Sequence, residues 1–445
     1  MEWLAHVEST LKLRLPQDSS VCIALSGGLD SVVLLDIFHR LASPNGWQLS
    51  ALHVHHGLSP NADDWADFCR QLCAAYALPL TIERVDVAPL RALGTEAAAR
   101  QLRQAAFARQ PCDVIALAHH ADDQAETVLL QLLRGAGSKG LAAMPEYRPA
   151  GSAAPAQIRP LLTTPRPPLR AYAEQRQLVW VEDESNADEH YRRNFLRRQI
   201  LPQLSGHFPA YRQTLARSAQ HLAETEMLLA ELAQQDGLTP SPEQGGLPLA
   251  NLRALPPLRA KNLLRHFLHH QGAPLPSSAR LDELLRQLCS AREDAAVCIR
   301  VGNWQVRRFR DAVYALPALP PFDPARILPW RGETELNWPA LACRLIFSPA
   351  QSGGISLAKL KAETVSLRFR RGGERLRLQP LASRRSLKNL LQENHVPPWQ
   401  RERLPLLYCG ATLVSVVGMA VSADYRATPG EPALAVVCAS PQTAD

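Results

Sequence analysis

Through the first 130 residues, short runs rich in β-branched and apolar residues alternate with longer stretches whose apolar positions recur every three or four residues. That rhythm predicts a parallel sheet with helical crossovers. Val21–Leu25, Gln48–Val54, Leu80–Val87 and Asp113–Ala118 are read as strands, and Ser31–Leu41, Ala62–Tyr76, Thr95–Arg109 and Asp122–Arg134 as helices. In the last helix Ala125, Val128, Leu129, Leu132 and Leu133 form one apolar stripe, with Asp122 as N-cap and Gly135 just past the end.

Downstream the pattern changes twice. Pro145 to Pro168 is rich in Pro, Ala and Gly and reads as a long irregular loop of the first domain, after which a helical segment runs from Tyr191 to Leu204. Helical periodicity at Thr214–Gln234, Leu258–His270 and Ala279–Cys289 precedes a strand-like stretch, Val297–Tyr314. Leu316–Pro329 has linker chemistry, and the apolar run Leu413–Val421 reads as one strand of a last module. The expected class is α/β, with a parallel-sheet nucleotide-binding domain over 1–209, a mainly helical middle domain over 210–325 and a small carboxy-terminal α/β domain over 326–445.

Composition narrows the partners. The 445 residues carry 49 Lys or Arg against 42 Asp or Glu, a formal charge of +7, and only six of the cations are Lys. Arginine's planar fork suits bidentate phosphate contacts, although a GC-rich coding bias would also enrich Arg, Ala, Leu and Pro. Nine dispersed cysteines with no C-x-x-C pair fit reduced thiols. Met1–Leu15 lacks the apolar core of a signal peptide and no stretch is apolar enough to span a bilayer, so a cytoplasmic protein without a membrane partner is expected.

Candidate chemistry clusters at strand ends. Ser26-Gly27-Gly28-Leu29-Asp30-Ser31 follows the first strand and opens the first helix, which would aim backbone N–H groups and two hydroxyls at an anion. It lacks the Lys and the spacing of a Walker A loop. His53-Val54-His55-His56 ends the second strand, and His119-His120-Ala121-Asp122-Asp123 begins after the fourth. Open α/β sheets place ligands at those carboxyl ends. Asp123 and Glu126 share a helix face and could hold a divalent cation or an ammonium group, though acids near a helix start also serve simply to offset its dipole. Arg100 is a candidate phosphate ligand or a solvated helix residue.

The loop Ser26–Ser31 resembles that of the N-type ATP pyrophosphatases, the PP-loop family. Together with His53–Ser59, Glu96–Arg100 and His119–Met144, it is similar to the bacterial tRNA(Ile)-lysidine synthetase family. Arg159-Pro160-Leu161-Leu162, Val181–Asp188 and Tyr191–Arg198 resemble that family's signature after the core, while Arg370–Arg375 and Val396-Pro397-Pro398-Trp399 resemble its end module.

Membership implies a PP-loop adenylation domain followed by two tRNA-binding domains. It implies that cytidine 34 of a CAU-bearing tRNA(Ile) is adenylated at its C2 carbonyl by ATP and that the ε-amine of L-lysine then displaces AMP, changing codon recognition from AUG to AUA. The site expected by motif position is Ser26, Gly27, Gly28, Leu29, Asp30, Ser31, His53 and Arg100 for ATP. Asp30 is also expected to hold Mg²⁺, and Asp30, Arg100, His120, Asp123 and Glu126 to serve catalysis. For tRNA the candidates are Arg192, Arg193, Asn194, Arg197 and Arg198 beside Phe195, and Arg370, Arg371, Arg375, Arg384, Arg385, Lys388, Arg401 and Arg403 beside Trp399. From Leu367 to Arg403 there are ten Lys or Arg against three Glu, which favours RNA backbone contact over a solvated face. The oligomeric state is left open, with a homodimer as one option.

Three rivals are weaker. A tRNA thiolase would want a C-x-x-C pair or an iron–sulfur cluster. Amide-forming pyrophosphatases that make NAD or GMP have no use for a basic third module. A non-catalytic RNA-binding factor would not need Ser26, Asp30, Ser31, Asp123 and Glu126 together.

Overall fold

The first apolar run becomes the strand from which the ligand-binding edge is built. The computed structural model describes every residue except 1, 152–153, 185–187, 189–191, 238–245, 293–294, 296, 339–340, 342, 351–352 and 440–445. It divides into two units, Met1–Leu232 and Ala233–Asp445.

In the first unit the order is α1 (Glu2–Arg14), β1 (Ser20–Ala24), α2 (Leu29–Asn45), β2 (Gln48–His55), α3 (Ala62–Ala75), β3 (Leu80–Arg84), α4 (Thr95–Ala108), β4 (Val114–Ala116) and α5 (Ala121–Leu133). Then come α6 (Ser138–Leu141), β5 (Tyr147–Arg148), β6 (Ala156–Ile158), α7 (Arg166–Gln175), α8 (Arg192–Phe195), α9 (Leu201–His207) and α10 (Tyr211–Gln235), in whose last turn the division between units falls. The sheet order is β3-β2-β1-β4-β6-β5, parallel except for the β5–β6 pair. Chain order reverses between β1 and β4, which creates the crevice where such sheets bind ligands.

Alternation along β1 explains the two covered faces. Val21 and Ile23 join α1, α2, α3 and α7 in the larger core, whereas Cys22 packs with Leu52, Ile115 and α4's Ala106 and Phe107 on the other side.

Three local expectations are corrected. The Pro145–Pro168 stretch is not wholly irregular: Ala156–Ile158 pairs with β4, a three-residue strand between Pro155 and Pro160 that is too short to show a period. Asp122 does not cap α5. His120 occupies that position, and its backbone N–H donates to Asp123 Oδ2 at 3.1 Å. Asp122 instead accepts from the Arg166 backbone N–H at 3.0 Å, serving the start of α7. The expected single helix over Tyr191–Leu204 is α8 and α9 joined by a π-type turn at Leu196–Ile200, with Tyr191 outside the described residues. The amino-terminal helix α1 buries Val7, Thr10 and Leu11 along one face.

The second unit begins with β7 (Gly246–Pro248), α11 (Leu249–Ala254), α12 (Pro257–His270), α13 (Ser278–Ser290), β8 (Cys298–Val301), β9 (Trp304–Phe309) and β10 (Ala312–Pro317). Its helices cover an antiparallel sheet ordered β7-β10-β9-β8 around Leu263, Leu264, Leu284 and Val306. The following module holds β11 (Ile327–Trp330), β12 (Glu335–Trp338), β13 (Cys343–Ala350), β14 (Ile355–Ser356), α14 (Leu357–Leu360), β15 (Val365–Arg368), β16 (Arg375–Leu376), β17 (Arg385–Ser386), α15 (Leu387–Glu393) and α16 (Pro398–Arg401). β18 (Leu406–Cys409), β19 (Thr412–Val416), β20 (Ala420–Val421) and β21 (Ala433–Ala439) finish it. All its strand pairs are antiparallel. The run Leu413–Val421, expected as one strand, folds back as β19 and β20 because Gly418 takes a φ of 73° between them. Among the described residues no helix is long and apolar enough to cross a membrane.

Candidate functional site

The Ser26–Ser31 loop is stitched to itself before any ligand arrives. Ser31 Oγ donates to the Gly28 carbonyl at 2.9 Å and accepts from the Ser26 backbone N–H at 3.2 Å, and the two serine hydroxyls lie 3.1 Å apart. Gly27 has a φ of 86°, and a Cβ built there would meet Val181 Cγ2 at 3.0 Å. Val181 also donates its backbone N–H to the Gly27 carbonyl at 3.0 Å, and Glu184 accepts from Ser59 Oγ at 2.5 Å. The Val181–Glu184 piece of the family-like signature therefore straps the loop to the end of β2. Ser185 to Ala187 of that signature lie outside the described residues.

Behind the loop, His53 is buried and its Nδ1–H donates to the Leu25 carbonyl at 2.9 Å, so it braces the residue preceding Ser26. Burial, then the Leu25 contact and His55, leave its pKa lowered on balance.

Across the crevice, α5 presents the densest charge. His120 Nε2 sits 3.6 Å from Asp30 Oδ2 and 3.5 Å from Asp123 Oδ2, while Nδ1 is 3.7 Å from Asp122 Oδ2. Burial alone would depress the imidazole, but Asp30, Asp123 and Asp122 overcome it and hold its pKa above the ordinary value. His119 and His56 behave oppositely: burial, aided by Arg103, pushes His56 to about 4 and His119 to about 3.

These shifts fix the signs of a pH test. His120 has a folded pKa above 6.5, so its stabilisation is complete below that value and is lost as pH rises through the folded pKa. His56 and His119 bind protons more readily when unfolded, so stability falls as pH drops from 6.5 toward 4. Thermal midpoints of the full chain should decline on both sides. His120→Gln should flatten only the alkaline side and His119→Gln only the acid side; identical profiles for all three proteins would contradict these assignments.

Asp123 and Glu126 come together as expected, but with unexpected partners. Arg193 Nε donates to Glu126 Oε2 at 2.7 Å, and Arg197 Nε to Glu126 Oε1 at 2.6 Å. Both guanidinium groups also reach Asp123 Oδ1, at 3.3 and 3.1 Å. Glu126 is fully buried. Burial would raise the Asp123 carboxyl, yet His120, Arg193, His119 and Arg197 hold it below the usual carboxylate range. The reading of Arg193 and Arg197 as part of an outward cationic face is thus corrected: being four apart, they share one helical face, and it is turned toward α5. Arg192 and Arg198 are exposed, and Asn194 is buried with its Nδ2 donating to the Asp188 carbonyl at 2.8 Å. Arg100 is exposed on α4.

Sequence reasoning gave no role to Arg103, Arg159, Arg166 or Val181. Arg159 and Val181 lie in segments that carried the resemblance, a signal that was available, whereas Arg103 lies just beyond the Glu96–Arg100 segment. Arg166, 3.7 Å from Asp30 Oδ1, had none. A cavity of about 650 Å³ lined by Arg14, Asp18, Cys112 and Tyr147 lies at the opposite, amino-terminal edge of the sheet, away from all of these groups.

In the second unit the loop Arg370–Arg375 is held by Glu374, whose Oε1 accepts the backbone N–H groups of Arg371 at 2.5 Å and Gly372 at 2.8 Å. Arg371, Arg375, Arg384, Arg385 and Lys388 are exposed, whereas Arg370, Arg401 and Arg403 are half-buried. Arg401 Nε donates to the Val396 carbonyl at 2.7 Å, and Arg403 lies over the Phe322 ring at 4.4 Å. Trp399 is not an open stacking platform: its ring packs edge-on against Phe309 and Tyr314, at 6.0 and 5.5 Å between centroids.

Comparison with known proteins agrees with this arrangement. Residues 4–204 match a family model described as a PP-loop domain, 247–314 the TilS substrate binding domain and 365–438 the TilS substrate C-terminal domain. The chain is 41% identical to a tRNA(Ile)-lysidine synthase of Nitrosomonas europaea, covering 96% of this chain and 93% of the relative. It is 43% identical to another from an Azoarcus species, covering 93% and 90%. Among solved structures it is similar to the U34-tRNA thiolase NcsA of Methanococcus maripaludis, with 21% identity, a TM-score of 0.43, and 50% and 79% of the two chains covered.

Proposed function

Because this chain belongs to the tRNA(Ile)-lysidine synthase family, we propose that it joins free L-lysine to the C2 position of cytidine 34 in tRNA(Ile), at the cost of ATP cleaved to AMP and pyrophosphate. The observation that carries this reading is the pairing of an ATP-utilising PP-loop with a buried carboxylate cluster across one crevice. The product reads AUA in place of AUG.

The reaction divides into two steps. In the first, the C2 oxygen of the cytidine attacks the α-phosphorus and pyrophosphate leaves. Ser26, Ser31 and the amide groups opening α2 supply donors to the departing phosphates without needing to move, which is how preorganised sites lower a barrier. Arg100, exposed on α4, adds a cation at the rim. Asp30 has one oxygen, Oδ1, buried without a hydrogen-bond partner at the loop mouth. A single carboxylate at a phosphate-binding loop fits Mg²⁺, and Mg²⁺ held by Asp30 would neutralise phosphate charge.

In the second step the lysine ε-amine attacks C2 and AMP departs. The amine must shed a proton first. Asp123 and Glu126 offer the negative charge that draws an ammonium group in, and Arg193 and Arg197 occupy that charge until a competing cation arrives. His120, held by three carboxylates, keeps Asp30 and Asp123 at a constant separation across the crevice. Exposed Arg371, Arg375, Arg384, Arg385 and Lys388 suit contact with RNA phosphates, which would be read by shape.

The test is direct. Purified protein, Mg-ATP, radiolabelled lysine and an unmodified isoleucine tRNA transcript with a CAU anticodon should give labelled RNA only when ATP is present. Label should vanish when cytidine 34 is replaced and fall by about 10²-fold in Ser31→Ala, the size of loss seen when one charge-stabilising donor is removed. AMP release with no lysine in the RNA would overturn the lysine assignment while keeping the adenylation.

A further inference from the structure

The carboxyl edge of the sheet holds one more buried cation, which the chemistry above leaves without a task. Arg159 follows β6 and is 7% exposed. Its fork is held from behind: Nη1 donates to the Pro145 carbonyl at 3.0 Å and Nη2 to Gln157 Oε1 at 3.1 Å. Gln157 is itself tied to Gln104 Oε1 on α4 at 3.1 Å. Nε is buried with no partner, and among the described residues Arg159 forms no ion pair.

Its charged neighbours have its own sign. Burial, followed by Arg100 and Arg148, pushes the Arg159 guanidinium down to about 10. Arg103, on the same helix as Arg100, is half-buried and makes no hydrogen bond among the described residues; burial, then Arg100 and Arg193, lower its pKa against the pull of Asp123 and Glu96. A desolvated guanidinium among like charges is unfavourable, and proteins that build one do so where an anion is to be received.

Resting on the lysidine-forming reading, we propose that Arg159 receives the α-carboxylate of the amino-acid substrate. Topology orders the poles. The phosphate loop follows β1, the acid cluster follows β4 and Arg159 follows β6, in adjacent positions along the sheet. Neighbouring strands are about 4.8 Å apart, so Arg159 stands roughly 10 Å from the phosphate loop, with the acids between them. A lysine with its ε-amine at the reacting carbon and its chain extended along the edge brings its carboxylate to that far end. A flat carboxylate matches the guanidinium fork. A phosphate of the RNA backbone, bulky and attached to a polymer, is better met by exposed arginines than by one buried to this depth. The arrangement would select amines that carry a carboxylate at the opposite end and reject otherwise competent diamines.

The full-length enzyme is assayed with CAU-bearing tRNA(Ile), Mg-ATP and, in turn, L-lysine, L-lysinamide and cadaverine. The expected result is a kcat/KM for lysine about 30- to 100-fold above either analogue, the usual size of a charge-assisted pair. Arg159→Gln should cut that preference to about threefold or less through KM for lysine, with KM for tRNA and ATP moving less than about twofold. Equal use of lysinamide and lysine by the unmodified enzyme overturns the proposal even if the variant does not fold. An unchanged lysine preference in Arg159→Gln with a raised KM for tRNA assigns Arg159 to an RNA phosphate instead and overturns it as well. Failure of the underlying reading looks different: no amine of any kind enters the RNA.

Discussion

Gly27→Ala is expected to reduce tRNA-dependent release of pyrophosphate by about 10²-fold or more while the protein remains folded. Two effects add. The residue has a φ of 86°, where a Cβ is strained whatever surrounds it, at a cost of about 1–2 kcal/mol. The new Cβ would also lie 3.0 Å from Val181 Cγ2, and 3.3 Å from both Cys69 Sγ and Phe68 Cδ1. Neither Cys69 nor Val181 can withdraw cheaply, since Cys69 is fully buried and Val181 is pinned by its own hydrogen bond to Gly27. The loop must therefore shift out of its preorganised position, and misplacement approaching ~1 Å is enough to cost about 10²-fold in rate. Paired measurement of thermal midpoint and initial rate separates the two effects. A drop of a few degrees with the rate preserved would show that the loop tolerates the shift. Gly28→Ala provides the contrast, because Gly28 has a φ of −75° and its nearest neighbour is Ser26 Oγ at 3.5 Å; a much smaller loss is expected there.

Glu126→Ala should produce the largest stability change in the first unit. The carboxylate is fully buried and takes hydrogen bonds from Arg193 and Arg197 at 2.6 to 3.0 Å. Removing one partner of a buried pair leaves the other charges uncompensated, typically at a cost of about 3–5 kcal/mol. Asp123 still accepts from both arginines, which places the expected loss at the lower end of that range. For a unit of this size each kcal/mol lowers the midpoint by about 2–4 °C, so a drop of roughly 6–12 °C is expected, with lysine incorporation abolished. The double variant Glu126→Leu with Arg197→Met should recover most of the stability and none of the ligation, because apolar residues replace a buried ion pair without leaving a lone charge. Ligation regained along with stability would mean that Glu126 serves the fold alone.

Much of the candidate site could be read one segment at a time. A strand, two glycines, an Asp-Ser pair and a helix in succession specify an anion-binding turn through local sterics, and Gly27 adopts the left-handed conformation that such a turn needs. The i, i+3 spacing of Asp123 and Glu126 puts them on one helix face. His53 was expected beside ATP, and only the fold revealed that its Nδ1 is committed to the Leu25 carbonyl beneath the loop. Spacing can say that a histidine ends a strand, but not which of its nitrogens is already bonded.

The sequence by itself determined the β/α rhythm, the order of the phosphate loop and the acid-bearing helix, and the basic character of the last module, because each depends on residues within about one turn or one strand of each other. Only the tertiary structure decided which charges meet. Arg193 and Arg197 read as an outward cationic run because nothing within their own helix opposes them, and they prove to be paired with carboxylates some seventy positions earlier. Arg159 read only as the start of a segment resembling the family's signature, and β6, three residues long, brings it to the carboxyl edge of the sheet. Trp399 read only as an aromatic beside the basic run, and its ring proves to pack against Phe309 and Tyr314. Long-range ion pairs, three-residue strands and aromatic contacts between segments leave no periodic trace, since the free energy that forms them comes from burial that exists only once the chain has closed on itself.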